Sequence, residues 1–167
     1  MYKRQAYALP GAVNFRDALS IGRSAGFKPV DVKSSDLAFL QYTGGTTGVA
    51  KGAELTHRNM IANVLQVSAW ISQRFKEGEE TVLTALPLYH VFSLTATMVF
   101  THWAAEMVLI TNPRNLDSLA GECVKHDVSV IIGVNTLFAA LLRNPVFKRA
   151  KLKRLKLTCG GGAQVQK

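Results

Sequence analysis

The 167-residue chain has only two cysteines, five prolines and 11 acidic residues. The two thiols, Cys123 and Cys159, cannot build a disulfide framework, and both stand in apolar context. They read as reduced structural residues, which excludes the stapled secreted scaffolds. An apolar run of spanning length is also missing. The longest candidate, Val82 to Ile110, is interrupted by Pro87, His90, His102 and Glu106, so no convincing transmembrane helix is present. The first residues show no apolar segment followed by a small-residue cleavage site, so no secretory signal is read and a cytoplasmic location is expected.

The shortage of acid leaves a formal charge of +9, from 20 Lys and Arg. Much of it is local, because Lys148, Arg149, Lys151, Lys153, Arg154 and Lys156 crowd together between a helix pattern and a strand pattern. A solvated connection is the plain reading. Peripheral contact with anionic lipid headgroups is the sharper alternative. A nucleic-acid partner is not expected, since no recognition helix, zinc spacing or aromatic RNA-binding motif accompanies the charge.

What the chain does have is 48% hydrophobic residues, a normal share for a globular core, in an alternation of strand and helix patterns without repeats. Residues 12 to 35 read as loop-rich. A buried strand is expected at 36–42, then helix 56–74, strand 81–86, helix 94–105, strand 107–111, helix 116–126, strand 128–132, helix 135–143 and strand 155–159. The order predicts an α/β fold with a mainly parallel sheet and helices on both faces. Met60, Ile61, Val64, Leu65 and Ile71 are expected on one side of the second element.

Between the first strand and its helix lies Tyr42-Thr43-Gly44-Gly45-Thr46-Thr47-Gly48-Val49-Ala50-Lys51-Gly52. Glycines let backbone amides approach an anion, while three hydroxyls and an ammonium add donors and charge. The pattern lacks the terminal Gly-Lys-Ser/Thr of the common nucleotide loop, because Lys51 follows Ala50 and precedes Gly52. A flexible linker is the alternative. Strand, glycine loop and helix in that order favour a phosphate site at the helix-side end of a parallel sheet.

The string from Tyr42 to Met60 resembles the phosphate-loop signature of the adenylate-forming, AMP-binding enzymes. Leu86-Pro87-Leu88-Tyr89-His90-Val91-Phe92 is similar to that superfamily's aromatic-histidine motif, and Cys159-Gly160-Gly161-Gly162-Ala163 to its adenine loop. Within the superfamily, residues 49–60 and 133–138 look most like bacterial long-chain fatty acid CoA ligases. The resemblance implies a carboxylate-activating enzyme that uses ATP and Mg2+ to form an acyl-adenylate and then CoA to form acyl-CoA. The alternatives are another acyl or aryl acid CoA ligase, or a non-catalytic nucleotide- or lipid-binding module.

By resemblance, Tyr42, Thr43, Gly44, Gly45, Thr46, Thr47, Gly48, Lys51 and Gly52 bind ATP, with Thr43 near the magnesium ion and Lys51 on the phosphates. Gly160, Gly161, Gly162 and Ala163 face adenine. His90 lies by the substrate carboxylate without acting as a general base, and Tyr89 and Phe92 shape the pocket. Gly133 and Val134 line the acyl tunnel; their plain reading is strand-to-helix packing. Phe92, Ser93 and Leu94 stand where some long-chain enzymes carry a gating tryptophan, so no gate is carried over. His57, His102 and His126 have no metal-ligand spacing and read as structural or exposed. Members of the superfamily are much longer and carry a magnesium-binding glutamate, a ribose-binding aspartate and a catalytic lysine in later segments. The chain is therefore expected to be a fragment that is inactive alone. Residues 1–35 would connect to an upstream region, with an artefactual start at 1–5, and 36–167 would be a partial AMP-binding domain without its C-terminal domain.

Overall fold

A computed structural model describes residues 10–43 and 51–162. The chain divides into two compact units, Met1–Lys33 and Ser34–Lys167. The first holds one helix, α1 (Phe15–Ala25), within the segment expected to be loop-rich. Its signals are local: Asn14 caps it by accepting a hydrogen bond from the Arg16 amide at 2.9 Å, Asp17 lies in its first turn, and Gly26 stops it at φ +72°. It buries no residue, so its apolar side packs on no core.

In the second unit, β1 (Leu37–Thr43) pairs antiparallel with β2 (Lys51–Thr56), with Tyr42 opposite Gly52 and Thr43 opposite Lys51. This corrects two expectations. The first strand is not buried, since Leu37 and Leu40 are half exposed, and it does not join the parallel sheet. A parallel neighbour needs a long crossover, whereas the short stretch after Thr43 returns the chain directly into a hairpin. The glycine-rich segment therefore joins two antiparallel strands, and residues 44–50 themselves lie outside the described region.

Thr56 then caps α2 (His57–Ile71) through a capping box, its hydroxyl accepting from the Asn59 amide and the Asn59 side chain accepting from the Thr56 amide. The His57 and Arg58 amides donate to the carbonyls of Asp36 and Ser34, tying this helix start to the base of β1. Met60, Val64, Ser68 and Ile71 form its buried face. Ile61 and Leu65, expected there too, are more than half exposed, because each sits one residue, about 100° of rotation, past the buried line.

The main sheet is all parallel, in the order β4-β3-β5-β6, from β3 (Thr81–Thr84), β4 (Glu106–Leu109), β5 (Val130–Gly133) and β6 (Leu157–Gly160). Its crossovers run through α3 (Val91–His102), α4 (Leu116–Lys125) and α5 (Asn135–Arg143). A short α6 (Pro145–Arg149), missing from the expected elements, follows α5 and is capped by Asn144. Alternate strand residues feed two cores. Val82, Val130 and Ile132 pack with Val64, Ile71, Val99 and Phe100 of α2 and α3, while Leu83 and Ile131 pack with Leu119, Cys123, Leu137 and Leu141 of α4 and α5. Helices thus cover both faces, as expected. The chain leaves β3 towards β4 and afterwards builds on the other side of β3, so the order reverses between β3 and β5. Open α/β sheets place ligands beyond the carboxyl ends of the strands at such a point.

Candidate nucleotide and acyl site

Three segments named from the sequence converge at that end of the sheet. After β3, the chain turns at Pro87, whose carbonyl accepts from the His90 amide at 3.0 Å, and buried Ser93 donates its hydroxyl to the Leu86 carbonyl at 3.2 Å. These bonds fix the start of α3, where His90 is the N-cap. Its Nδ1 accepts from the Phe92 amide at 3.3 Å, so the neutral ring carries its proton on Nε2, and the exposed side chain presents that donor outward.

After β6, the Gly161 amide donates to the Gly133 carbonyl at 3.3 Å, joining the second and third segments. A Cβ on Gly161 would lie 2.9 to 3.0 Å from three ring atoms of Phe92, so the loop comes this close to the histidine motif only because residue 161 is glycine. Gly162 takes φ +81°, with Val134 Cγ1 at 4.0 Å from the position of its absent Cβ. The space beside Gly133 is already filled. A Cβ there would lie 3.1 Å from both Leu137 and Phe138, so its smallness serves α5 packing, and Val134 borders a cavity of about 440 Å³ with Pro87, Arg114 and Leu116.

On the other face, an apolar cavity of about 340 Å³ lies between α2, α3 and the β5–β6 edge. Trp70 and Val67 come from α2, Phe92 and Ala96 from α3, and Ile132 and Cys159 from the sheet. It falls in the usual range for small-molecule sites, about 300–1,000 Å³. Its α2 and β6 walls were not foreseen, since they meet only through tertiary structure. Tyr89, expected to shape a pocket, is 81% exposed, whereas Phe92 does line this one. Burial pushes the Cys159 thiol up and takes that of Cys123 to about 11, so both stay protonated and unreactive near neutrality.

The hairpin carries Lys51, exposed, across from Thr43, and the Tyr42 ring lies 3.3 Å from where a Gly52 Cβ would be. Gly44, Gly45, Thr46, Thr47, Gly48 and Ala163 fall outside the described residues, as does the Thr43 side chain. Among the described residues no three His, Cys, Asp or Glu side chains come together to hold a metal, so the fit to magnesium rests on no carboxylate found there. His126 places Nδ1 3.3 Å from Glu106 and Nε2 3.2 Å from Glu122, a structural contact between β4 and α4. Part of the basic run is likewise structural: Arg154 donates to the Glu79 carbonyl, and Lys156 pairs with Glu80.

A family model described as AMP-binding enzyme matches residues 4–167. The chain belongs to the AMP-binding enzyme family. A long-chain-fatty-acid–CoA ligase of Salmonella typhimurium is 50% identical over 161 residues, a match that takes in 96% of this chain and 29% of the relative. The chain thus spans less than a third of the length of the curated relatives it matches. Among solved structures, o-succinylbenzoate CoA synthetase of Bacillus subtilis, in complex with an acyl-adenylate intermediate, superposes with TM-score 0.66 at 26% identity, over 80% of this chain and 33% of that one. The N-terminal domain of FACL13 from Mycobacterium tuberculosis gives TM-score 0.71 at 23% identity, over 85% and 35%, which shows the shared fold. Among the described residues of this AMP-binding chain, no helix is long and apolar enough to cross a membrane.

Proposed function

We propose that the chain is the nucleotide- and acyl-binding part of an ATP-dependent long-chain fatty acid CoA ligase. The observation that carries this reading is the apolar cavity beginning at Phe92, beside His90 and against the Gly161 loop. A carboxylate held at His90 would have its tail in an apolar space and its oxygens near the loop assigned to adenine. The identity to long-chain relatives supports the same choice over other acyl or aryl acids.

In the reaction, a carboxylate oxygen bonds to the α-phosphorus of ATP as the bond to the β-phosphate oxygen breaks, giving acyl-adenylate and pyrophosphate. The CoA thiol then attacks the acyl carbon, AMP leaves, and the thiol proton passes to solvent. Lys51 and the amides and hydroxyls of Gly44 to Gly48 hold the β- and γ-phosphates, whose charge otherwise repels the incoming carboxylate and must be stabilised on the leaving pyrophosphate. The Nε2–H of His90 donates to the substrate carboxylate and aims it. Gly160 to Ala163 receive adenine. Thr43 would help to hold Mg2+, which when bound would supply charge neutralisation on the phosphates.

A cytoplasmic enzyme taking acids from a bilayer would meet anionic headgroups through Lys148, Arg149, Lys151 and Lys153, which are exposed, unlike the Lys156 ammonium engaged by Glu80. The test of the main reading is a chimera in which this segment replaces the matching span of the Salmonella typhimurium relative. Pyrophosphate release with palmitate exceeding that with hexanoate or an aryl acid is expected. Preference for the aryl acid would reject the long-chain assignment, and nucleotide binding without any acid-dependent release would favour a non-catalytic module.

A further inference from the structure

The apolar cavity that begins at Phe92 adjoins a second space at its other end. Trp70, Ile71 and Leu157 line it and also line a cavity of about 550 Å³, where Gln73, Arg74 and Phe75 join them. Both α2 and α3 run from the carboxyl end of the sheet towards its amino end, and the α3 residues along the first cavity, Val91 to Phe100, cover about 14 Å at the helical rise. A tail whose carboxylate lies at His90 therefore points along this path towards Arg74.

The lining changes character at this far end. Phe75 is 5% exposed and meets Phe100 edge-on with ring centres 5.7 Å apart, so the floor is a packed aromatic pair. Above it the wall is polar and faces solvent, because Gln73 and Arg74 are exposed and Trp70 is 80% exposed. The Arg74 amide donates to the Ile71 carbonyl at 2.9 Å, which holds the backbone beneath its side chain in the turn that ends α2. Other cations of this region are engaged: Lys76 pairs with Glu79 at 3.8 Å, Lys156 pairs with Glu80, and Arg154 donates to the Glu79 carbonyl. Among the described residues the Arg74 guanidinium has no ion pair or hydrogen bond.

We infer that Gln73 and Arg74 form a polar subsite for a carboxylate at the far end of the acyl chain, so that the site takes long α,ω-dicarboxylic acids as well as simple fatty acids. This rests on the proposed function and names a substrate class within it. A closed apolar end would reject such a chain, because an unpaired carboxylate is strongly disfavoured in an apolar space. Here the far carboxylate stays partly hydrated, the planar guanidinium of Arg74 pairs with both of its oxygens, and the Gln73 amide adds a donor. Only a chain long enough to cross the first cavity reaches them.

The test compares kcat/KM for hexadecanedioate, palmitate, adipate and hexanoate in the chimera with the Salmonella typhimurium relative. Arg74→Gln should lower the hexadecanedioate-to-palmitate ratio by about 3- to 5-fold, the span of a solvent-exposed ion pair. The loss should fall on KM, Arg74→Lys should restore part of it, and the adipate-to-hexanoate ratio should not respond. An unchanged hexadecanedioate-to-palmitate ratio would overturn the proposal, as would an equal fall in the adipate ratio, which marks a general field effect in place of a subsite. Trp70 borders both cavities, so its fluorescence reports binding to the 167-residue chain without catalysis. There Arg74→Gln should weaken hexadecanedioate more than palmitate. Binding of both acids with no such difference would reject the subsite alone, whereas failure of either acid to bind would reject the acyl reading as well.

Discussion

Lys156 and Glu80, on the approaches to β6 and β3, meet at 2.5 Å and tie the amino ends of these two strands together across β5. Glu80 is only 1% exposed, and its Oε1 also accepts from the Lys76 amide at 3.1 Å, while the Lys156 ammonium lies 5.8 Å from the centre of the Phe75 ring. Burial pushes the Glu80 carboxyl up, but hydrogen bonds from Lys156, Ser129 and the Lys76 amide, with the Lys156 charge, outweigh it and hold it below the usual carboxylate range.

Lys156→Met should therefore destabilise the chain by roughly 2–3 kcal/mol, less than a fully buried pair because the lysine is partly hydrated. The pH response should change sign at this site. In the parent, a depressed folded-state pKa contributes stability above the unfolded value that is lost as pH falls through the folded one; without the cation, burial raises the Glu80 pKa and acid becomes relatively stabilising. Thermal unfolding of both proteins between about pH 7 and pH 3 measures this, and parallel curves would contradict it.

The strands of the main sheet were legible because Val82–Leu83 and Val130–Ile132 are short apolar runs between polar or glycine-bearing segments, and β3 and β5 sit where those runs predict. The start of α2 also falls where the helical pattern from 56 onward predicts it. The β1–β2 pairing was not, since Lys51-Gly52-Ala53-Glu54 has no strand-like pattern and is ordered by the partner across the turn. At the site, Gly133 and Gly160 stand at the carboxyl ends of β5 and β6. The Phe92–Gly161 contact and the cavity between Trp70 and Cys159 were not readable, because they join residues far apart in the chain that no periodicity relates.

The path of the tail is open to substitution at two places on opposite faces of the sheet. Ala96→Phe fills the cavity behind Phe92, so in the chimera it should depress activity on palmitate more than on hexanoate. Val134→Trp fills the other cavity and should reduce both acids alike. Rates for the two acids, taken on one folded preparation of each variant, decide it. The reverse pattern would move the tail to the Val134 side, where the family resemblance places it.

Lys51 stands exposed at the start of β2, and the proposed function gives it the phosphates. Lys51→Ala in the chimera should leave the melting temperature nearly unchanged and slow pyrophosphate release by about 10²-fold, near 3 kcal/mol of transition-state stabilisation. A wild-type rate in the folded variant would remove Lys51 from the phosphate site.

The central claim, that this segment supports attack of a long-chain carboxylate on the α-phosphate, is tested most directly by product analysis with CoA omitted. The chimera is incubated with palmitate and ATP, quenched, and assayed by mass spectrometry for palmitoyl-adenylate alongside AMP, ADP, pyrophosphate and phosphate. The predicted result is enzyme-bound palmitoyl-adenylate with stoichiometric pyrophosphate, both lost in Lys51→Ala. Formation of ADP and phosphate, or no acyl-adenylate from a folded chimera that binds ATP, would contradict the account.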